Sequence, residues 1–204
     1  MNYLRAFALM LVCSAVLPAA ALAQSSPGSA SSTGGAAFPP DAPVDMTAPG
    51  STAKLLPDGT AAAPADAPVA VQRAIFAANK LQHKPYIYGG GHASFKSRGY
   101  DCSGTVSYAL HGARLLRSPL DSSSFMSWGR HGVGQWITVY TNPGHAYAVI
   151  AGLRLDTSRA GMYGATMSKR HRRRVAASSF ESGPRWRPVA RSSEGFTARH
   201  PTGY

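Results

Sequence analysis

Apolar residues return at helical spacing at Val71, Ile75, Ala78 and Leu81, just after Pro68, and predict a helix from Val69 to Gln82. Lys84-Pro85 ends it, because the residue before a proline is pushed out of the helical region. Tyr86-Ile87-Tyr88 reads as a short extended piece, and Gly89-Gly90-Gly91 then frees the backbone for a tight path. A second helical stripe at Val106, Ala109, Leu110 and Ala113 predicts a helix from Cys102 to Ala113, with Asp101 as its N-cap. Beyond Trp128 the pattern changes. Trp136 to Tyr140 is rich in β-branched and aromatic residues, Thr141-Asn142-Pro143-Gly144 is turn material, and His145 to Ala151 and Leu153 to Thr157 continue as strands. Phe196 to Arg199 reads as a late edge strand, and the Ser-rich stretch from Leu116 to Trp128 carries no clear period. Helix, extended piece, helix and antiparallel meander make an α+β plan, with helices packed on a small antiparallel sheet.

The rest of the chain changes this picture at its ends. Arg5, the uncharged apolar run Ala6–Val16 and the small-x-small site Ala21-Leu22-Ala23 predict a signal peptide over 1–23, hence export to the periplasm or beyond. No transmembrane segment is expected after its cleavage. Residues 24–66 are Ser, Gly, Ala and Pro with few large apolar groups, and are expected to be a disordered linker. That leaves 67–204 as one domain, with 158–204 as a basic C-terminal extension. The whole chain carries a net charge of +12. Residues 1–66 contribute only Arg5 and Lys54 against Asp41, Asp45, Asp58 and Asp66, so the positive excess lies in the domain. Such a field favours polyanions. Nucleic acid suits the charge but not the export signal. Wall carboxylates, lipid phosphates and anionic sugars suit both, and the run Lys169-Arg170-His171-Arg172-Arg173-Arg174, with Trp186 beyond it, is expected to dock onto anionic envelope polymers.

Of two cysteines, Cys13 lies in the signal segment, so the exported chain keeps Cys102 alone. An unpaired thiol in an exported protein is an intermolecular link or a reactive group; in the blandest reading it is a small buried hydrophobe. Its position favours reactivity. A helix N-terminus and a neighbouring imidazolium both favour the thiolate, and Cys102 opens the second predicted helix. His145, leaving the Pro143-Gly144 turn, is the candidate base. Asp156, on the next strand, is the candidate partner for its other ring nitrogen, with a solvated surface role as the alternative. The Cys102 backbone N–H is a candidate oxyanion donor. Seven histidines raise the question of a metal, but no His-Glu-x-x-His pattern or close Cys/His pair is present and none is expected. The triple glycine lacks the Lys-Ser/Thr ending of a phosphate loop, and no cofactor is expected.

The runs Lys84-Pro85-Tyr86-Ile87-Tyr88-Gly89-Gly90, Tyr100-Asp101-Cys102-Ser103-Gly104 and Gly144-His145-Ala146-Tyr147-Ala148-Val149-Ile150 resemble the NlpC-type cysteine peptidases, papain-like bacterial enzymes that cut peptidoglycan stem peptides. The likeness spans Val71 to Thr157. It implies a papain-like fold with the nucleophile at a helix N-terminus, Cys102 as that nucleophile, His145 as base, and Asp156 in the third catalytic place, which in the family is often histidine. It also implies that Tyr86, Asp101 and Ser103 line the substrate cleft and hold the free amine of a stem peptide. The expected activity is cleavage after γ-D-Glu, with the muramoyl–L-Ala amide as the nearest rival. Gly134-Gln135-Trp136 stands where the family has Pro-Gly-Asp. A non-catalytic, basic envelope-binding protein on the same fold is the second reading.

Overall fold

The computed structural model describes residues 46–158, 181–188 and 191–204, all within the compact unit Asp41–Tyr204. Helix α1 spans Val69–Asn79 and α2 spans Cys102–Gly112. α1 is shorter than its apolar stripe suggests. Past Asn79 the backbone tightens into i→i+3 bonds, Lys80 N–H to Ala77 O and Leu81 N–H to Ala78 O, and His83 adopts φ +72° ahead of Lys84-Pro85. Asp101 caps α2, its Oδ1 accepting from the Gly104 N–H at 2.8 Å. A four-residue helix, α3 (Ser122–Phe125), lies in the stretch without a readable period and buries Phe125.

The main sheet is antiparallel in every pairing and runs in the order β4 (Arg130–His131), β9 (Thr197–His200), β5 (Ile137–Asn142), β6 (His145–Ile150), β7 (Leu153–Ser158), β8 (Glu181–Arg187). Its meander is the expected one: β5 (Ile137–Asn142), β6 (His145–Ile150) and β7 (Leu153–Ser158). α2 packs across β6 and β7, and α1 lies against α2. Val106, Ala109 and Leu110 of α2 meet Ile137, Val139, Ala148, Ile150 and Leu155 of the sheet in one core. Gly112 lets α2 close on α1, since a Cβ there would strike the methyl of Ala77.

Two expectations are corrected. Residues 46–66 are not a disordered linker. They form β1 (Thr47–Ala48), β2 (Lys54–Leu55) and β3 (Ala61–Pro64), and β3 is buried along its whole length. Alanine explains this. It loses almost no side-chain entropy on folding and lets backbone approach closely, so a segment without large residues still packs on the Ala-rich face of α1. Polar clamps complete the contact. Gln72 Nε2 donates to the Pro64, Ala65 and Ala67 carbonyls, and the Ala53 N–H donates to Ala151 O at the β6–β7 turn.

Nor are the described residues of 158–204 an appendage. β8 (Glu181–Arg187) pairs with β7, and β9 (Thr197–His200) lies inside the sheet rather than at its edge, between β5 and the two-residue β4 (Arg130–His131). Trp186, read as part of a basic binding tail, is a core side chain. Arg199 donates through Nε to Trp128 O at 2.6 Å. The signal segment 1–23, residues 24–45 and the basic run Lys169–Arg174 lie outside the described residues.

Asn79 joins these additions to the helical layer. Its Nδ2 donates to Ala61 O at 2.9 Å, while its Oδ1 accepts from the Ala61 N–H at 2.9 Å and the Trp186 Nε1–H at 2.8 Å. Asn79→Ala deletes all of these at once and is expected to lower stability by about 2–3 kcal/mol in urea denaturation, at roughly 1 kcal/mol per bond. A midpoint indistinguishable from the parent's would show that the β3 segment is not clamped to α1 in this way.

Candidate active site

The thiol stands where backbone and strand geometry converge. Cys102 is the first residue of α2 and is half-buried, and its backbone N–H belongs to the first turn, which the helix leaves without an internal acceptor. His145 is the first residue of β6, after a turn held by Gly144 N–H donating to Asn142 Oδ1 at 3.0 Å. Ala148 faces Leu155 across the β6–β7 pair, so the alternation of the strands sets Asp156 on the same face as Tyr147 and His145. The expected trio therefore meets. His145 Nε2 lies 2.9 Å from Asp156 Oδ1, and Cys102 is close enough for its side chain to favour the charged form of the ring. With Nε2 donating to the carboxylate, Nδ1 is the ring nitrogen left for another partner.

No family model matches the chain, and no curated protein does. Among solved structures it is similar to the peptidoglycan hydrolase RipB from Mycobacterium tuberculosis, at 21% identity and a TM-score of 0.45, covering 67% of this chain and 66% of that one. It is also similar to the Resuscitation Promoting Factor Interacting protein RipA in two mutated forms. One gives 18% identity, a TM-score of 0.45 and coverage of 67% and 64%. The other gives 19% identity, a TM-score of 0.42 and coverage of 65% and 62%. The chain thus spans just under two thirds of each of these structures.

Asp156 is 1% exposed and fully engaged. Its Oδ1 also accepts from the Ser158 N–H at 2.9 Å, and its Oδ2 accepts from Arg191 Nη1 at 3.1 Å with Arg154 Nε at 3.4 Å. Burial alone would raise its pKa, but the His145 hydrogen bond and charge, the Ser158 amide and Arg191 outweigh it and hold the carboxyl below its usual range. For His145, burial disfavours the cation, but hydrogen bonds to Asp156 and Cys102 prevail and raise its pKa to about 9. At neutral pH the ring is therefore an imidazolium.

Two residues whose place at the site the sequence does not announce finish this wall. The Arg191 guanidinium lies 5.2 Å from the Tyr147 ring centroid and 5.0 Å from that of Phe196. Phe196 sets its edge toward His145, with centroids 6.3 Å apart at 80°. Both come from beyond residue 190, far in sequence from the motifs they serve.

On the other side of the thiol, Asp101 is buried and its oxygens are committed. Oδ1 caps α2, and Oδ2 accepts from the Gly89 N–H at 3.0 Å. His92 Nε2 reaches Asp101 at 3.1 Å and Ser103 Oγ at 2.9 Å. Asp101 and Ser103 thus stand together as expected, and His92 joins them. The three glycines that precede His92 were its only trace in the sequence, since they let the loop turn back over the helix start. Tyr86 is half-buried in a segment tied to Tyr100 by the bonds Tyr100 N–H to Pro85 O and Ile87 N–H to Tyr100 O, which brings it beside the same helix start.

Proposed function

We propose that the chain is an exported cysteine hydrolase that cleaves a peptide amide in peptidoglycan stem peptides. One observation carries the reading: Cys102 at the start of α2, His145 beside it at the start of β6, and Asp156 hydrogen-bonded to the His145 ring. The Cys102 thiolate adds to the amide carbonyl, and the oxyanion draws on the Cys102 backbone N–H. As the C–N bond breaks, the leaving amine takes the His145 proton. Water then attacks the thioester, giving one proton to His145, and the carboxylic acid departs with the thiolate restored. The arrangement favours acid–base transfer at His145 because Asp156 holds both the ring's orientation and its charge.

The motif resemblance names the substrate class. Cleavage after γ-D-Glu is the leading bond and the muramoyl–L-Ala amide the rival. Tyr86, Asp101 and Ser103 form the cleft wall where a stem-peptide amine would lie. Because both Asp101 oxygens are already bonded, its contribution there is the field of a fixed negative charge. The signal segment delivers the protein outside the cytoplasm, and Lys169–Arg174 dock it on the anionic envelope.

Digestion of purified sacculi by the mature protein, beside Cys102→Ala, tests this by mass spectrometry of the released fragments. Muropeptides released only by the parent are expected, and their masses name the bond. Binding of both proteins to sacculi with no release by either would replace the hydrolase with the envelope-binding reading.

A further inference from the structure

A pocket of about 540 Å³ opens where the C-terminal ends of α1 and α2 meet the loop before Tyr100. Tyr108 and His111, which line it, stand six and nine residues along α2 from Cys102, a rise of roughly 9–14 Å at 1.5 Å per residue. The pocket is therefore separate from the thiol but within reach of one extended ligand. Its rim carries Lys80, Lys84 and Lys96, all exposed. Among the described residues none of the three makes an ion pair, and no carboxylate lines the pocket. Its wall is aromatic. Phe95 stacks on His111 with centroids 3.8 Å apart, and Tyr108 packs edge-on against Tyr100.

The wall is also preformed. Tyr100 Oη donates to Phe95 O at 2.7 Å and accepts from the Ser97 N–H at 3.2 Å, while Ser97 Oγ donates to Gly99 O at 2.7 Å. His111 Nδ1 bonds Leu116 O at 3.0 Å. A ligand meeting this surface spends little on ordering it. Three ammonium groups around flat aromatic faces select a molecule with an apolar ring face and acidic groups at its edge.

We infer that this pocket is a second, non-catalytic subsite for an acidic saccharide, whose ring lies on Phe95 and Tyr108 and whose acidic groups lie among Lys80, Lys84 and Lys96. The choice of occupant rests on the hydrolase reading: it is a disaccharide–peptide unit of peptidoglycan, held by its carboxylates. A phosphate-bearing wall polymer presents the same chemistry from another source.

The test is calorimetric titration of the full exported chain carrying Cys102→Ala, which binds without turnover. The probes are a disaccharide–tetrapeptide muropeptide, the same compound with its carboxylates amidated, and a short poly(glycerol phosphate). Combined Lys80→Gln, Lys84→Gln and Lys96→Gln alter exposed side chains and preserve their stems, and the matching Lys→Arg set controls for charge. Muropeptide affinity is expected to fall at least tenfold in the Gln set and on amidation, and to persist in the Arg set, as close ion pairing in a screened medium requires. Equal affinity in the Gln set and the parent would overturn the subsite. Lysine-dependent binding of poly(glycerol phosphate) alone would overturn the muropeptide as occupant. Hydrolysis of sacculi by the Cys102 protein is scored alongside. Its absence with lysine-dependent binding sinks the hydrolase and keeps the subsite, whereas its presence with lysine-independent binding sinks the subsite alone.

Discussion

Asp156→Ala is expected to lower folding stability by about 3–5 kcal/mol, the usual result of removing one partner from a buried charge network. The side chain holds His145, Arg154 and Arg191 together, and Arg154 is itself buried. Taking it away leaves cations facing one another in a largely buried setting. Hydrolysis should fall by about a thousandfold or more, because a histidine base without its orienting carboxylate loses both tautomer and charge. The pH dependence carries the same signature. The folded pKa of His145, about 9, exceeds its ordinary 6.5, so its contribution is complete below pH 6.5 and is lost as pH rises through about 9. That contribution is at most about 3.5 kcal/mol, because each tenfold gain in proton affinity is worth about 1.4 kcal/mol. The pKa of Asp156 is held below its ordinary 3.8, so its contribution is present above that value and is lost as the medium is acidified through the lowered one. Urea denaturation across pH should show the parent weakening at both ends and Asp156→Ala flat where the parent falls. A variant as stable as the parent, with the parent's alkaline decline intact, would remove Asp156 from the site.

Gly104→Ala should disable the protein by a steric route. Gly104 has ordinary helical dihedrals, so its need is space. A Cβ there would run into the carbonyl oxygen of Gly90, closer than real atoms approach, and against the carbon of the same group at 3.1 Å and Asp101 Oδ1 at 3.2 Å. The glycine loop lies directly on the first turn of α2, and neither backbone has room to retreat without moving Cys102. A loss of about 3 kcal/mol or more is expected from this overpacking, with loss of iodoacetamide reactivity at neutral pH. Gly89→Ala is the contrast. Gly89 has φ +72° but open space around it, so that change should cost only about 1 kcal/mol of backbone strain and leave the thiol in place. Similar losses in the two variants would mean that the loop does not press on the helix as described.

The two helices, the three-strand meander and the meeting of Cys102, His145 and Asp156 were legible because each rests on a local rule. Apolar period and the Asp101 cap place α2, and strand alternation with a short turn puts Asp156 on the face of His145. What escaped has no local rule. β3 is built of alanine and proline, which carry no strand pattern, and its burial follows from close approach to α1. Trp186 sits among arginines and reads as part of a charged tail, yet Asn79, remote in sequence, supplies the partner that lets its indole be buried. His92 and Arg191 act through contacts that spacing cannot announce. Even the Ser-rich stretch around α3 becomes intelligible only when Phe125 is seen inside the core.

The place of β9 has a kinetic consequence. Arg130 pairs with His200, which closes a loop of roughly seventy residues, and β9 supplies the outer neighbour of β5. A nascent chain, emerging N-terminus first, carries Cys102, His145 and Asp156 long before β8, Arg191 and β9 exist. Until those residues arrive, β5 ends in an unpaired edge and Asp156 lacks a cation that steadies it. Native assembly is thus a late event of synthesis, paced by contacts of large sequence separation. On the export reading proposed above, the unfolded chain would carry Cys102, His145 and Asp156 across the membrane apart, and they would come together only on the far side.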